Sequence, residues 1–241
     1  MWGCDKMNSQ LQIDLYNGLN NATNMQDVLD VTLKIVKPIG YDYVGWKAML
    51  PVPISQKRVL ALNTAEDGTI EKIGDGSYDY TPVPKHCSES IEPISWLGTR
   101  EDWLFNSVPE VMEDVYSCGR FGGWAQSLIE SKRTYNMFWV DTSSPVSQKD
   151  IDNTSLKMEW IATSVLIKMN QIRLQPKIVL SEREKEILRW TGDGKTANEI
   201  GQILNLSHST INFHLRNAMY KLDSSNKTNA VVKAIYLNLL H

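Results

Sequence analysis

The sequence has no run of about 18 apolar residues, so nothing in it reads as a membrane span. Its opening, MWGCDKMNSQ, lacks the apolar stretch of a signal peptide, and Met7 reads as the more natural start. Cysteine is scarce: Cys4, Cys87 and Cys118 show no metal-ligand spacing and are odd in number, so reduced thiols in the cytoplasm are expected. There is no glycine-rich phosphate loop and no cluster of metal ligands. No cofactor, no metal and no catalysis are therefore expected. His86-Cys87 with Glu89 comes nearest to a thiol site, but neighbours along a chain need not face one another. Internal repeats and low-complexity tracts are absent too.

What is present is ordinary for a globular chain. Its 241 residues are enough for one large or two small domains with real cores. The net charge of -3 is unevenly spread. Residues 180–241 carry eight Lys/Arg against six Asp/Glu, and the rest carry seventeen against twenty-two. A mildly basic end on an acidic body fits a nucleic-acid partner without demanding one.

Pro176 breaks a long helical pattern within Leu174–Leu180 and marks a linker over 173–179, between a domain at 8–172 and another at 180–241. In the first domain, residues 8–21 and 25–38 read as helices. Tyr41 to Leu50 and Arg58 to Asn63 read as strands. Trp124–Glu130 and Tyr135–Asp141 read as a hairpin turning on Ser-Lys-Arg-Thr. Ile151, Leu156, Trp160, Ile161, Val165, Leu166 and Met169 recur at helical spacing over 148–172. Helices, sheet, then helix predict an α+β domain.

The C-terminal segment is punctuated by helix signals. Ser181-Glu-Arg-Glu184 and Thr196-Ala-Asn-Glu199 are capping boxes, in which a hydroxyl meets an orphan N–H and a Glu reaches back. The first opens a helix ending near Gly192–Gly194. The second opens a short helix expected to bury Ile200, Ile203 and Leu204. Asn205-Leu206-Ser207 is then a tight turn, with Ser207 capping a third helix over about 208–222. Two helices joined by so short a turn cross steeply, which is the helix-turn-helix signature. Ile211, Leu215, Ala218, Met219 and Leu222 form the core stripe of the third helix. Its opposite side presents Ser209, Asn212, Phe213, Arg216 and Tyr220. Asn and Arg are the side chains that grip adenine and guanine edges bidentately. A last helix, capped by Ser225 or Asn226, is expected to run to the end of the chain. Val231, Val232, Ile235 and Leu239 widen its apolar stripe, which suggests either self-association or packing on the other domain.

The run LSEREKEILRWTGDGKTANEIGQILNLSHSTINFHLRNAMYKL, followed by NK, resembles the helix-turn-helix of LuxR-type regulators over about 60 residues. The resemblance implies a DNA-binding transcriptional regulator that dimerises through its last helix on inverted-repeat double-stranded DNA. Asn212 and Arg216 would enter the major groove with Phe213 beside them, and Lys195, Thr196, Ser207 and Thr210 would touch phosphates. A cytoplasmic, nucleoid-associated location follows.

Related helix-turn-helix domains also sit on phosphorylated receivers, but the β/α alternation of a receiver is missing here. Residues 8–172 instead resemble the autoinducer-binding domain of quorum-sensing regulators. Gly40-Tyr-Asp-Tyr43, Pro51-Val-Pro53, Thr81-Pro82, Pro93-Ile-Ser-Trp96 and Gly119-Arg-Phe-Gly-Gly123 carry the likeness. It implies an α/β/α sandwich with an antiparallel sheet, ahead of an all-α four-helix head. A pocket on one sheet face would draw on Tyr43, Trp46, Tyr78, Thr81, Trp96, Trp103 and Trp139.

The polar anchors of the family are replaced. Lactone binders hold the ligand head with a Trp, a Tyr four residues later and an Asp before the Pro; counting from Asn63 to Pro82 puts Gly68, Lys72 and Thr81 there. Trp139 stands where a small hydroxyl residue is usual. An ordinary acyl-homoserine lactone is then not the expected ligand, as in an orphan member of the family. A non-standard small molecule, or no ligand at all, fits better. Two other readings stay open: a lactone receptor whose anchors have moved (Asp79 lies two residues before Thr81) and an inhibitory heterodimer partner of a related regulator.

Overall fold

A computed structural model describes residues 2–52, 55, 58–65, 68–131, 134–175 and 178–240, with side chains from Gln10 onward. Pro53, the turn residues Lys132 and Arg133, Pro176 and the Cys4 side chain lie outside that set. The chain divides into two compact units, Met1–Arg173 and Leu174–His241.

The first unit opens with α1 (Trp2–Asn21) and α2 (Met25–Val36). Asn24 caps α2 through a capping box with Asp27. Pro38 tightens the chain into a 3-10 turn, Lys37–Ile39, so the α-helix stops two residues short of the sequence expectation. Five strands follow in the spatial order β2-β1-β5-β4-β3, with every neighbouring pair antiparallel. These are β1 (Tyr43–Leu50), β2 (Arg58–Asn63), β3 (Ile94–Trp96), β4 (Gly123–Ser131) and β5 (Thr134–Asp141). Between β2 and β4 lie four short helices: α3 (Thr69–Gly74), α4 (Pro82–Glu89), α5 (Trp103–Ser107) and α6 (Pro109–Ser117). The unit closes with α7 (Gln148–Leu174).

Both faces of the sheet are covered. Successive strand residues point to opposite faces, so each strand feeds two cores. Val44, Trp46 and Ala48 of β1, with Trp124, Phe138 and Val140, pack under α1, α2 and α7. Met49, Ala125, Tyr135, Met137 and Trp139 pack under α3 to α6 with Ile73, Val83, Cys87, Leu104 and Met112. The result is the α/β/α sandwich, and it positions a cavity on the second face.

In the second unit α8 (Glu182–Gly192), α9 (Ala197–Leu204), α10 (His208–Lys221) and α11 (Lys227–Tyr236) surround Leu188, Ile200, Ile211, Ala218 and Ala230. Both capping boxes form. Ile203 is a correction: it is 46% exposed, because the two-turn α9 turns Ile200 and Gly201 inward and leaves Ile203 on the flank. The last helix is a second correction. It stops at Tyr236, where Asn238 takes a left-handed conformation (φ 55) and folds Leu239 back into the core. Val231 is buried as well, so Val232 and Ile235 alone remain of the surplus apolar set.

Candidate nucleic-acid interface and ligand cavity

The turn between α9 and α10 rests on two backbone features. Asn205 ends α9 in the left-handed region (φ 54, ψ 47). Leu206 N–H then donates back to Gly201 O at 2.9 Å, and a Cβ on Gly201 would lie 2.7 Å from Leu206 O. A methyl there meets a backbone carbonyl that cannot swing aside. Gly201→Ala is expected to cost about 1–3 kcal/mol, read by thermal unfolding of the full chain. An unchanged unfolding curve would mean that the two helices do not need this close approach.

Glu184 locks α10 onto α8. Its buried carboxylate accepts from Lys221 Nζ and from Ser181 N, both at 2.7 Å. Burial pushes this carboxyl up, but the Lys221 ammonium and the Ser181 backbone and hydroxyl hold it below the usual range on balance.

The outer face of α10 presents Ser209, Phe213, Arg216 and Tyr220 to solvent, Tyr220 at 89% exposure, with Asn212 half-buried between them. Arg216 Nε donates to Asn212 O at 3.3 Å, which places the two side chains one turn apart on one side of the helix. The Asn212 amide nitrogen lies 3.2 Å from the His208 ring nitrogens. Sequence reasoning missed His208, although its i,i+4 spacing to Asn212 was visible. It also missed the groove that His208, Ser209, Asn212 and Arg216 share with Ser225, Asn226 and Lys227 at the start of α11. Thr196 and Ser207 cap α9 and α10, whose first-turn N–H groups and dipoles favour anions. Lys195 is exposed beside the first cap, and the Thr210 hydroxyl lies 2.8 Å from Ser207 Oγ at the second.

In the other unit a cavity of about 110 Å³ lies between the sheet and α3 to α6. Tyr78, Thr81, Trp96 and Trp139 line it, as expected from the sequence. Three expected residues do not. Trp46 points to the opposite sheet face, one residue out of phase with Lys47, and donates its indole N–H to Asn136. Tyr43, at the start of β1 opposite Asp141, is not part of the lining, and Trp103 is on the outside of α5 with its indole N–H on Ser95 O at 3.0 Å.

The charged groups around the cavity are paired. Lys47 is 2% exposed and pairs with Asp79 at 2.5 Å. Arg120 is 3% exposed; it pairs with Asp141 at 3.0 Å and donates to Thr69 Oγ1 at 2.5 Å. Tyr78 OH donates to Asp114, which also pairs with Lys72. Burial and the Asp114 carboxylate push the Tyr78 phenol up, while Lys72 and Tyr78 hold Asp114 low. Gly68 starts α3 with open space where a side chain would be. Thr81 spends its proton on Tyr78 O at 2.8 Å. Neither Lys47 nor Arg120 was marked as a pocket residue from sequence.

Two tryptophans rest on glycines of the adjacent strand. Trp96 pairs with Gly123, and Trp139 with Gly45. A Cβ on Gly123 would fall 2.2 Å from the Trp96 ring, and one on Gly45 2.0 Å from the Trp139 ring. The rings thus cover glycine backbone, a known way of restoring packing at such positions, and the Trp139 ring fills space on the cavity floor.

A capped helix-turn-helix head and an α/β/α unit with a cavity on one sheet face define the class: a DNA-binding regulator carrying a sensor-like domain. Comparisons with known proteins agree. Residues 178–234 match the family model "Bacterial regulatory proteins, luxR family". The transcriptional activator AnoR of Acinetobacter nosocomialis is 29% identical over 95% of this chain and 98% of its own. The quorum-sensing regulator RhlR of Pseudomonas aeruginosa is 26% identical over 89% and 90%. The crystal structure of Escherichia coli SdiA shares the fold, with a TM-score of 0.73, 24% identity, and 98% and 99% coverage. SdiA in complex with octanoyl-rac-glycerol gives the same TM-score at 25% identity, with 98% and 97% coverage. The second unit thus carries a helix-turn-helix of the LuxR family, and the relatives that match nearly the whole chain are transcriptional regulators, a quorum-sensing regulator among them. Among the described residues no helix is long and apolar enough to cross a membrane.

Proposed function

We propose that this chain works in the cytoplasm as a homodimer on inverted-repeat DNA and does so without an ordinary acyl-homoserine lactone. Residues 180–241 act as the head, residues 8–172 as the sensor-like body, and 173–179 as the linker. Asn212 and Arg216 read base edges with Phe213 beside them, while Lys195, Thr196, Ser207 and Thr210 position the head on phosphates. Val232 and Ile235, the latter exposed, supply an apolar strip on α11 for a two-fold contact, which matches a palindromic site.

The observation that carries the lactone-independent reading is the cavity. Ligand sites commonly enclose about 300–1,000 Å³; this one holds about 110 Å³. Asp141, the carboxylate that lines it, is already paired with Arg120, and the three positions expected to anchor a lactone head hold Gly68, Lys72 and Thr81. Asp79, the residue that a two-residue slip would recruit, is taken by Lys47.

The test is a thermal melt of protein expressed without lactone, with DNA binding measured on the same sample. A ligand at 100 times its dissociation constant would stabilise the fold by about 2.7 kcal/mol and raise the melting temperature by several degrees. Micromolar short- and long-chain lactones are expected to give no such shift, and the lactone-free protein is expected to bind DNA. A clear shift with any lactone overturns the reading. Failure of the purified protein to bind any DNA would favour the heterodimer reading instead.

A further inference from the structure

We propose that the cavity takes a neutral, ring-sized apolar molecule carrying one acceptor oxygen, held by a hydrogen bond from Lys47 Nζ. The inference rests on reading the N-terminal unit as ligand-binding, and it names the ligand class.

Lys47 lines the cavity and is 2% exposed. An ammonium carries three donors. One goes to Asp79, and the described residues offer no partner for the other two. Trp139 lines the same cavity at 6% exposure, and its indole N–H has no acceptor among the described residues. Unspent N–H groups on two residues that line the cavity favour an incoming acceptor.

Asp141, the carboxylate in the wall, is paired, and so are Asp79 and Asp114 behind the lining residues. Asp79 receives Lys47, Asp141 receives Arg120, and Asp114 receives Tyr78 and Lys72. A ligand that brings donors alone would leave the spare Lys47 N–H groups unmet. A ligand that brings an anion would add an uncompensated charge, because each cation near the cavity already has its carboxylate. A neutral carbonyl or ether oxygen meets both conditions.

Size and lining set the rest. An apolar cavity of about 150 Å³ accommodates benzene, and this one is about 110 Å³ with Ile73, Val83, Leu104, Met112, Met137 and Trp96 in its walls. One ring or a short branched chain matches that volume.

The probes are cyclohexanone, cyclohexane and cyclohexanecarboxylate, titrated into the full chain by calorimetry while the Trp139 indole N–H resonance is followed. Cyclohexanone is expected to bind about tenfold more tightly than either of the others and to move that resonance. Lys47→Met should reduce the preference for cyclohexanone over cyclohexane to about unity while cyclohexane still binds. Should Lys47→Met fail to fold, Trp139→Phe, which keeps a ring and removes the N–H, is expected to lower the same preference. Equal binding of cyclohexane and cyclohexanone, tighter binding of the carboxylate, or no binding of any probe would overturn the inference. None of those outcomes touches lactone independence or DNA binding, which the melts and the DNA assay decide separately.

Discussion

Asp141→Ala is expected to destabilise the N-terminal unit by about 3–5 kcal/mol, the usual cost of removing one partner of a buried ion pair. Arg120 and Asp141 are both nearly fully buried, and their contact is 3.0 Å. The same guanidinium reaches Thr69, so one side chain ties the segment before β4 to the end of β5 and the start of α3. With alanine at 141 the guanidinium keeps its charge and loses the Asp141 carboxylate. For a unit of this size the melting temperature should fall by roughly 6–20 °C. Replacing both partners by apolar residues, Arg120→Met with Asp141→Leu, is expected to recover most of the loss, because no buried charge is stranded. Loss of less than about 1 kcal/mol in the single variant would show that water reaches the guanidinium.

Trp139→Ala is expected to cost about 3–5 kcal/mol, as for other large-to-small changes at buried aromatic positions. The ring lies over Gly45, between that residue and Ala125 on the two neighbouring strands. Nothing on either side can expand to fill the gap. The variant also separates volume from polar anchoring. It enlarges the cavity but restores none of the lactone anchors, so lactones should still give no thermal shift. A lactone-induced shift in Trp139→Ala alone would mean that bulk, not missing hydrogen bonds, excludes lactones from the native chain. Chemical denaturation with and without lactone reads both effects.

Legibility followed the range of the interactions. The capping boxes at Ser181 and Thr196, the turn at Asn205 and the cap at Ser207 are local, and all were readable because their partners lie within three residues. β2 was legible to the residue, and β1, β4 and β5 nearly so, through their aromatic and β-branched content. The stretch from Thr64 to Gly122 was not. Its elements run from three to nine residues, too short for a period to declare itself. The pocket suffered for the same reason. Lys47–Asp79 and Arg120–Asp141 join residues far apart in sequence, and nothing local announces them. Trp46 was assigned to the wrong face because β1 is buried on both sides, which hides the alternation that otherwise sorts strand residues.

The proposed function requires α10 in the major groove. The direct measurement is selection of bound sequences from a random double-stranded DNA pool by the native chain and by Arg216→Ala, with salt titrations on the enriched site. The native chain should enrich an inverted repeat. Arg216→Ala should lose about 1–3 kcal/mol on that site and relax the preference at one base position in each half-site. Lys195→Ala should weaken all sequences alike and lower the salt slope by about one. An unchanged affinity and an unchanged enriched sequence in Arg216→Ala would contradict the assignment of this face.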